Sequence, residues 1–246
     1  MSIEDFKLSS VKNKTILITG SSRGIGHALC EKLLSMNNSV IGTAKNIEHL
    51  NSISVINNDK FFPIQLDLES IDSIDLMVAE VKKGFDKIDV LINNASILGE
   101  MKTLEDYNYE TWKNVININM NHQYYLTKNF LPLIKNSKKG SIINVSSSVG
   151  RFPREKWGAY SVSKVGLEAL TEIFSQELKE VNIIVNSVNP GGTATDMRRE
   201  AYPDEDQGQL PSPIDILPIF IYLASDDATE SGMKFNAREY IGSMEF

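Results

Sequence analysis

The chain of 246 residues contains little that would cross-link it, bind a metal or anchor it in a membrane. Its one cysteine, Cys30, cannot form an internal disulfide, and nothing in the composition indicates an oxidising compartment. Its three histidines are scattered, without the cysteine or paired-carboxylate spacing of a metal centre, so the sequence predicts no metal site. The longest apolar runs, such as Leu217–Ala224, are far too short to span a bilayer.

Positive charge is also scarce. The chain has 25 Lys and Arg residues against 32 Asp and Glu residues, which gives a formal net charge of −7. Such a chain repels polyanions on average, so we predict that its partner is neither nucleic acid nor a membrane surface. The first ten residues, MSIEDFKLSS, lack a basic segment followed by an apolar stretch, and they predict no signal peptide. We therefore expect a cytoplasmic protein.

The order of apolar patterns predicts one α/β domain over residues 1–246. Short apolar runs alternate with segments of helical period, and no repeat or Gly/Ser-rich linker divides them. This alternation favours a doubly wound parallel sheet with helices on both faces, which binds ligands at the carboxyl edge of its strands. The predicted strands are 15–19, 39–43, 61–66, 89–92, 141–146, 183–188 and 233–235. The predicted helices are 25–34, 70–85, 109–134, 158–180 and 214–224.

A glycine-rich turn, with Gly20, Gly24 and Gly26, follows the first predicted strand. Glycines allow a tight turn and close backbone approach, and the N-terminus of the next helix offers free N–H groups to a pyrophosphate. The strand–turn–helix context favours a nucleotide site over a turn without a ligand. Lys45 stands where NAD-preferring sites usually carry an acid, and Arg23 projects from the turn. Lys45 alone would suit a solvated loop, but the two cations together predict NADP(H).

A tyrosine and a lysine four residues apart form the candidate catalytic pair. If their segment is helical, Tyr160 and Lys164 share one face. A lysine cation would favour the phenolate and lower the pKa of Tyr160 from its usual value of about 10, which would make it a usable general acid or base. Ser147 ends a predicted strand at the ligand edge, where its hydroxyl can reach a substrate carbonyl. A lone Tyr-x-x-x-Lys is common by chance, so the surrounding motifs decide.

These motifs together resemble those of the short-chain dehydrogenases/reductases, over about residues 13–236. The chain carries Thr-Gly-x-x-x-Gly-x-Gly from Thr19, Asn-Asn-Ala from Asn93, Ser147, Tyr-x-x-x-Lys from Tyr160 and Asn-Pro-Gly from Asn189, in order and at normal spacings. Its last third is similar to a bacterial subgroup of largely uncharacterised oxidoreductases. The resemblance implies a Rossmann-type fold and hydride transfer between a nicotinamide and a carbonyl or alcohol carbon.

The resemblance also implies roles for individual residues. Tyr160 would donate or accept the proton, Lys164 would hold the nicotinamide ribose, and Ser147 would hydrogen-bond the substrate oxygen. Asn119 would support a water-linked proton relay to the lysine, and Asp67 would bind the adenine amino group. The other implied cofactor contacts are Gly20, Ser22, Arg23, Gly24, Ile25, Gly26, Lys45, Leu68, Asn94, Ala95, Pro190, Gly191 and Thr193.

Several segments depart from the family or allow two interpretations. Ser96 stands where the family usually has glycine, and the C-terminal region lacks the usual Asp-Gly-Gly, which puts the final strand in doubt. The basic run 151–156 lies between Ser147 and Tyr160 and should border the site. It is either a contact for an acidic substrate or carrier, or a solvated rim. Trp157 is either a pocket wall or packing under the loop. The polar loop 193–212 is either the mobile substrate lid or a surface loop.

We therefore predict an NADP(H)-dependent carbonyl reductase or alcohol dehydrogenase that forms a homodimer or homotetramer. A small carbonyl or alcohol is the predicted substrate, and a 3-oxoacyl thioester is the first candidate. The alternative is a catalytically silent NADP(H)-binding sensor or scaffold, although such a protein would normally lose the tyrosine or the lysine. A sugar-nucleotide epimerase or dehydratase is a third hypothesis, which the spacing of the glycine turn and the length of the chain disfavour.

Overall fold

Seven strands make up the single sheet in the computed structural model, which describes residues 11–53 and 58–243. MSIEDFKLSS, on which the expectation of no signal peptide depends, lies outside these residues. The strands are β1 (Thr15–Ile18), β2 (Ser39–Ala44), β3 (Phe61–Gln65), β4 (Val90–Asn93), β5 (Gly140–Val145), β6 (Ile183–Asn189) and β7 (Lys234–Asn236). The helices are α1 (Gly24–Ser35), α2 (Ile71–Gly84), α3 (Tyr109–Ile116), α4 (His122–Lys135), α5 (Gly158–Glu177), α6 (Asp196–Ala201) and α7 (Leu217–Ala224).

All neighbouring strands are parallel, in the order β3-β2-β1-β4-β5-β6-β7. β1 lies inside the sheet, where Leu17 is in register with Ile41 of β2 and with Leu91 of β4. The strand order reverses at β1, so the loops after β1 and β4 diverge and leave a crevice at the carboxyl edge. The predicted doubly wound parallel sheet is confirmed.

Helices cover both faces of this sheet because consecutive strand residues point to opposite sides. Ile16 and Ile18 pack in one apolar cluster with residues of α1 and α7. Leu17, between them, packs in a second cluster with residues of α2, α4 and α5. The nearly continuous apolar sequence of the strands follows from this two-sided burial.

Helix α2 shows how the sequence sets its own limits. The side chain of Ser70, the predicted N-cap, accepts a hydrogen bond from the backbone N–H of Ser73 at 3.2 Å. The buried residues of α2 recur at helical spacing and face the sheet: Ile74, Met77, Val78 and Val81. None of the helices in the described part of the chain is long and apolar enough to cross a membrane.

Most predicted elements differ from the structure only by one to three residues at their ends, and two segments differ in kind. The helix predicted over 109–134 is interrupted by a π turn at Asn117–Asn121, because Asn119 turns inward to bind the backbone of a neighbouring loop. The predicted loop 193–212 contains α6, which begins where the side chain of Thr195 accepts from the backbone N–H of Arg198. The last strand, β7, begins one residue later than predicted, at Lys234.

Candidate active site

A cleft of about 300 Å³ opens at the carboxyl edge of the sheet, between the ends of β1, β4, β5 and β6. Its lining includes most of the residues that the sequence analysis singled out. These are Gly20, Ser22, Arg23, Gly24, Ile25, Asn94, Ala95, Ser147, Tyr160, Lys164, Pro190, Gly191 and Thr193. Gly26, Lys45, Asp67, Leu68 and Asn119 are outside this lining, and each is placed below.

The glycine turn requires glycine at two positions for steric reasons. A Cβ on Gly26 would lie 2.2 Å from the carbonyl oxygen of Gly20, and Gly20 itself has a φ of +69° and lies against the backbone of Ala95. The side chain of Asn94 donates to the carbonyl oxygens of Thr19 and Gly20, which ties the turn to the end of β4. These contacts hold the backbone in a shape that only small residues allow.

Helix α1 begins directly behind this turn and faces the cleft with its N-terminus. Its N-cap residue, Arg23, has extended backbone and makes no side-chain capping hydrogen bond. The first N–H groups of α1 therefore remain available to an anion, which the positive end of the helix dipole also attracts. This arrangement suits a pyrophosphate.

The two cations that predicted a 2′-phosphate site each have an acidic partner. The Nζ of Lys45 lies 3.1 Å from carboxylate oxygens of both Asp67 and Glu69, and these contacts raise the pKa of Lys45. The guanidinium of Arg23 lies 3.3 Å from Asp196 on α6. The sequence analysis found no acid at the end of β2, yet the fold brings two there from the loop after β3. A phosphate at this position has to compete with those carboxylates.

Leu68 and Asp67 lie in the same loop after β3. The side chain of Leu68 is buried, and its carbonyl oxygen is hydrogen-bonded to the Nδ1 of His122 on α4. Asp67 accepts from the backbone N–H of Glu69 at 2.9 Å, while its own N–H donates to Ser73. These hydrogen bonds fix the loop at the carboxyl end of β3, and the contact of Asp67 with an adenine stays a prediction.

Tyr160 lies near the start of α5, with its ring 7% exposed. Burial raises the pKa of Tyr160 above 10.0, and interactions with the side chains of Ser147 and Ser96 lower it by less. The sequence prediction of a lowered pKa is wrong for this arrangement. Ser96, which the sequence analysis named only as a departure from the family's glycine, also lines the cleft.

Lys164 follows one turn later on the same face of α5 and is 2% exposed. Its Nζ donates to the carbonyl oxygen of Val145 at 2.8 Å and lies 5.6 Å from the centroid of the Tyr160 ring. Burial lowers the pKa of Lys164 to about 7, although the negative charge of Glu168 raises it. Because Lys164 is only partly charged near neutral pH, it does not offset the effect of burial on Tyr160.

Asn119 is fully buried in the π turn between α3 and α4. Its Oδ1 accepts from the backbone N–H of Ile97 at 2.9 Å, and its Nδ2 donates to the carbonyl oxygen of Ile97 at 2.8 Å and to the hydroxyl of Ser163. Ser163 donates in turn to the carbonyl oxygen of Tyr160. Asn119 therefore joins the loop after β4 to the start of α5, and the water-linked relay to Lys164 stays a prediction.

A family model described as short chain dehydrogenase matches residues 14–206, which include β1 to β6 and the cleft residues. The chain belongs to this family. Among the relatives of this short-chain dehydrogenase is the uncharacterized oxidoreductase YciK of Escherichia coli, 33% identical over 239 residues that cover 94% of each chain. Another is the 3-oxoacyl-[acyl-carrier-protein] reductase FabG of Haemophilus influenzae, 34% identical over 89% of this chain and 93% of that protein.

The solved structures agree with this placement. A short chain dehydrogenase from Escherichia coli CFT073, complexed with NADPH, is 33% identical and superimposes with a TM-score of 0.90. That comparison covers 94% of this chain and 99% of the other. The similarity in fold to this structure thus extends along nearly the whole chain, beyond residues 14–206, which the family model matches.

The lowered pKa of Lys164 can be tested, because it makes the stability of this short-chain dehydrogenase depend on pH. The folded protein releases the Lys164 proton near pH 7, whereas the unfolded chain keeps it up to a pKa of 10.5. Because the unfolded state then binds more protons, the unfolding free energy should rise with pH above about 7. Between pH 6.5 and 9, wild type should gain about 2 kcal/mol relative to Lys164→Met, as measured by urea unfolding.

Lys113→Met serves as the matched control for this measurement. Lys113 pairs with Glu110 on the surface of α3, and this contact raises its pKa. It stays charged in both states over the tested pH range, so its variant should show no such trend. A constant stability difference between wild type and Lys164→Met at both pH values would show that Lys164 keeps its proton.

The predicted basic rim at 151–156 takes a different form in this dehydrogenase. Arg151 turns inward, where its Nε donates to Glu168 at 3.1 Å and its other nitrogens donate to Asn236 and to the carbonyl oxygen of Phe235. Residues 152–156 are exposed, and none of the residues 151–156 lines the cleft. Arg151 is therefore held in a structural ion pair, while the other two cations of the run, Arg154 and Lys156, stay exposed outside the cleft lining.

Trp157 does line the cleft and joins it to the predicted lid. Its ring centroid lies 5.7 Å from that of Tyr160 and 6.0 Å from that of Tyr202, just after α6. Met197, Arg198 and Ala201 of α6 line the same side of the cleft.

In the described part of the chain, no group of three or more His, Cys, Asp or Glu residues could hold a metal ion.

Proposed function

We propose that this short-chain dehydrogenase is an NADP(H)-dependent oxidoreductase that interconverts a carbonyl and an alcohol. One observation carries the proposal: Tyr160 and Ser147 line the same cleft as the glycine turn. The turn leaves room for a pyrophosphate, and the tyrosine stands where a substrate oxygen would meet it. A proton-transfer group and a nucleotide cradle in one cleft suit hydride transfer.

The residues present fit a nicotinamide dinucleotide. Gly20, Gly24 and Gly26 form a cradle that a Cβ on Gly26 would fill, and α1 faces it with its N-terminus. Ser146 belongs to the cleft lining, and its buried hydroxyl has no hydrogen-bond partner among the described residues. The NADPH of the Escherichia coli CFT073 structure supports the same cofactor for this chain. When bound, the nicotinamide would supply or accept the hydride.

The side chains of this chain would then manage the proton. Tyr160 would give its proton to the substrate oxygen in reduction and take it back in oxidation. Its raised pKa keeps the hydroxyl protonated near neutral pH, as the reduction requires. Ser147 would donate a hydrogen bond to the same oxygen. Lys164 would hold the nicotinamide ribose, and Asn119 would support a relay through water to Lys164.

The cofactor preference can be tested by removing both cations. In the double variant Arg23→Ala/Lys45→Ala, the ratio of kcat/KM for NADPH to that for NADH should fall at least about tenfold, because a hydrogen bond to a charged group contributes about 1.5–3 kcal/mol. This tenfold change in the ratio is smaller than the loss of two unopposed contacts to a phosphate would give, because Asp67, Glu69 and Asp196 compete for the same cations. Initial rates of NADPH and NADH oxidation with a panel of carbonyls measure this ratio.

Lys113→Ala, which removes an exposed lysine from α3, is the control and should leave the ratio unchanged. Equal use of NADH and NADPH by wild type would refute the preference. Tight NADPH binding without turnover of any carbonyl would favour the alternative, a sensor or scaffold.

Further parts of the proposal concern the substrate, the lid and the assembly. A 3-oxoacyl thioester is the first candidate substrate, supported by the FabG relative of Haemophilus influenzae. Within one domain, residues 193–212 would act as the substrate lid, since α6 lines the cleft. Exposed apolar side chains on α4 and α5 support a homodimer or homotetramer: Tyr124, Val162, Val165 and Ile173. Sedimentation velocity would measure the size of the assembly.

A further inference from the structure

Four charged side chains line the cleft in the described part of the chain: Arg23, Lys164, Asp196 and Arg198. Arg23 and Asp196 pair with each other. Lys164 is buried and donates to the carbonyl oxygen of Val145. The fourth charged residue is Arg198, which lies on α6 at the side of the cleft that contains the ring of Trp157.

Arg198 is held by a two-pronged ion pair within the lid. Its Nε lies 2.5 Å from one carboxylate oxygen of Glu205, and a terminal nitrogen lies 2.6 Å from the other. Its guanidinium also stacks over the ring of Tyr202, with 3.9 Å between Cζ and the ring centroid. Such a planar fork uses the geometry with which arginine would otherwise bind a substrate carboxylate. Glu205 is not part of the cleft lining, but it takes up two of the guanidinium donors that a substrate carboxylate would need.

The wall next to Tyr160 is apolar. Leu98 and Trp157 face the cleft from the body of the protein, and Met197 and Ala201 face it from α6. Together with Tyr160 these four residues belong to one apolar cluster. A charged group placed against this wall would lose its hydration without gaining a partner, which is costly.

We propose that the cleft selects carbonyl substrates whose reacting end is uncharged and carries an apolar substituent, and that the Arg198–Glu205 ion pair enforces this selection by withholding Arg198 from carboxylates. The proposal rests on the reductase activity proposed above and names the substrate class of the same site. The apolar substituent lies against Trp157 and Met197, and the carbonyl oxygen points to Tyr160.

Matched substrates test the selection directly. The probes are ethyl 2-oxo-4-phenylbutanoate and the free acid 2-oxo-4-phenylbutanoate, which differ only in the ester, with NADPH as the reductant. Wild type should reduce the ester with a kcat/KM at least about 100-fold above that for the acid. Glu205→Gln keeps the shape of the side chain but releases the charge of Arg198. It should narrow this ratio at least about tenfold, mainly through a lower KM for the acid.

Two further variants separate charge release from a disturbed lid. Arg198→Gln/Glu205→Gln removes both charges, so the gain for the acid should disappear. Glu200→Gln makes the same charge change on an exposed part of α6 and should leave the ratio as in wild type. The dissociation constant of the acid, titrated by tryptophan fluorescence, should fall in Glu205→Gln only.

The outcomes distinguish this inference from the proposed function. If wild type reduces the acid as well as the ester, the selection is refuted while the reductase activity stands. An unchanged ratio in Glu205→Gln, or an equal gain for the acid in the double variant, overturns the role of the ion pair. If neither probe nor any other carbonyl supports NADPH oxidation, the proposed function itself fails.

Discussion

Tyr160→Phe is expected to lower kcat for NADPH-dependent carbonyl reduction about 1000-fold, within the range of about 10²–10⁴ typical of general acid catalysis. The phenyl ring keeps the packing of Tyr160 against Trp157 but removes the hydroxyl, which interacts with the side chains of Ser147 and Ser96. The substrate oxygen then has no proton donor at this point of the cleft. Initial rates at saturating NADPH measure the loss.

NADPH binding and a second tyrosine provide the controls for this variant. The glycine turn is unaffected by the substitution, so the dissociation constant for NADPH, measured by its fluorescence, should stay within a few fold of wild type. Tyr109→Phe makes the same chemical change at an exposed position on α3 and should retain full activity. Undiminished turnover in Tyr160→Phe would remove Tyr160 from the proposed mechanism.

Glu168→Ala is expected to cost about 3–5 kcal/mol of unfolding free energy, the usual effect of leaving one member of a buried ion pair without its partner. Glu168 is 3% exposed and accepts from Arg151 with one carboxylate oxygen and from the hydroxyl of Ser187 with the other. For a protein of this size, that loss lowers Tm by about 6–20 °C in a thermal melt. It also removes the negative charge that supports the protonated form of Lys164.

Two companion variants define the origin of this effect. Glu168→Gln keeps a side-chain acceptor for Arg151 and Ser187, so it should be less damaging than Glu168→Ala. Glu110→Ala breaks the exposed pair with Lys113 and should not change Tm measurably. A melt of Glu168→Ala that matches wild type would mean that Arg151 finds full compensation elsewhere.

The parts of the site that follow from local sequence were predictable. The glycine turn needs small residues within seven positions, and Tyr160 and Lys164 share a face because one helical turn separates them. The parallel sheet with helices on both faces also follows from alternating elements that must bury apolar residues on both sides. In each case the physical constraint acts between residues that are near in sequence or repeated along it.

The parts that the sequence could not show depend on residues brought together by the fold. Arg151 looked like a rim cation because its partners lie 17 residues away on α5 and at the middle and end of β7. Lys45 meets Glu69 only when β2 and β3 pair. The raised pKa of Tyr160 arises from burial, which a four-residue motif does not encode.

The position of β1 inside the sheet has a consequence for folding during synthesis. β1 pairs with β2 soon after it leaves the ribosome, but its other neighbour, β4, begins 74 residues later, as the pair Ile16 and Val90 shows. At about 5–20 residues per second, the inner edge of β1 waits about 4–15 s for β4. During that interval it presents unpaired N–H and C=O groups between apolar side chains, which is the kind of edge that chaperones shield and that other nascent chains can join.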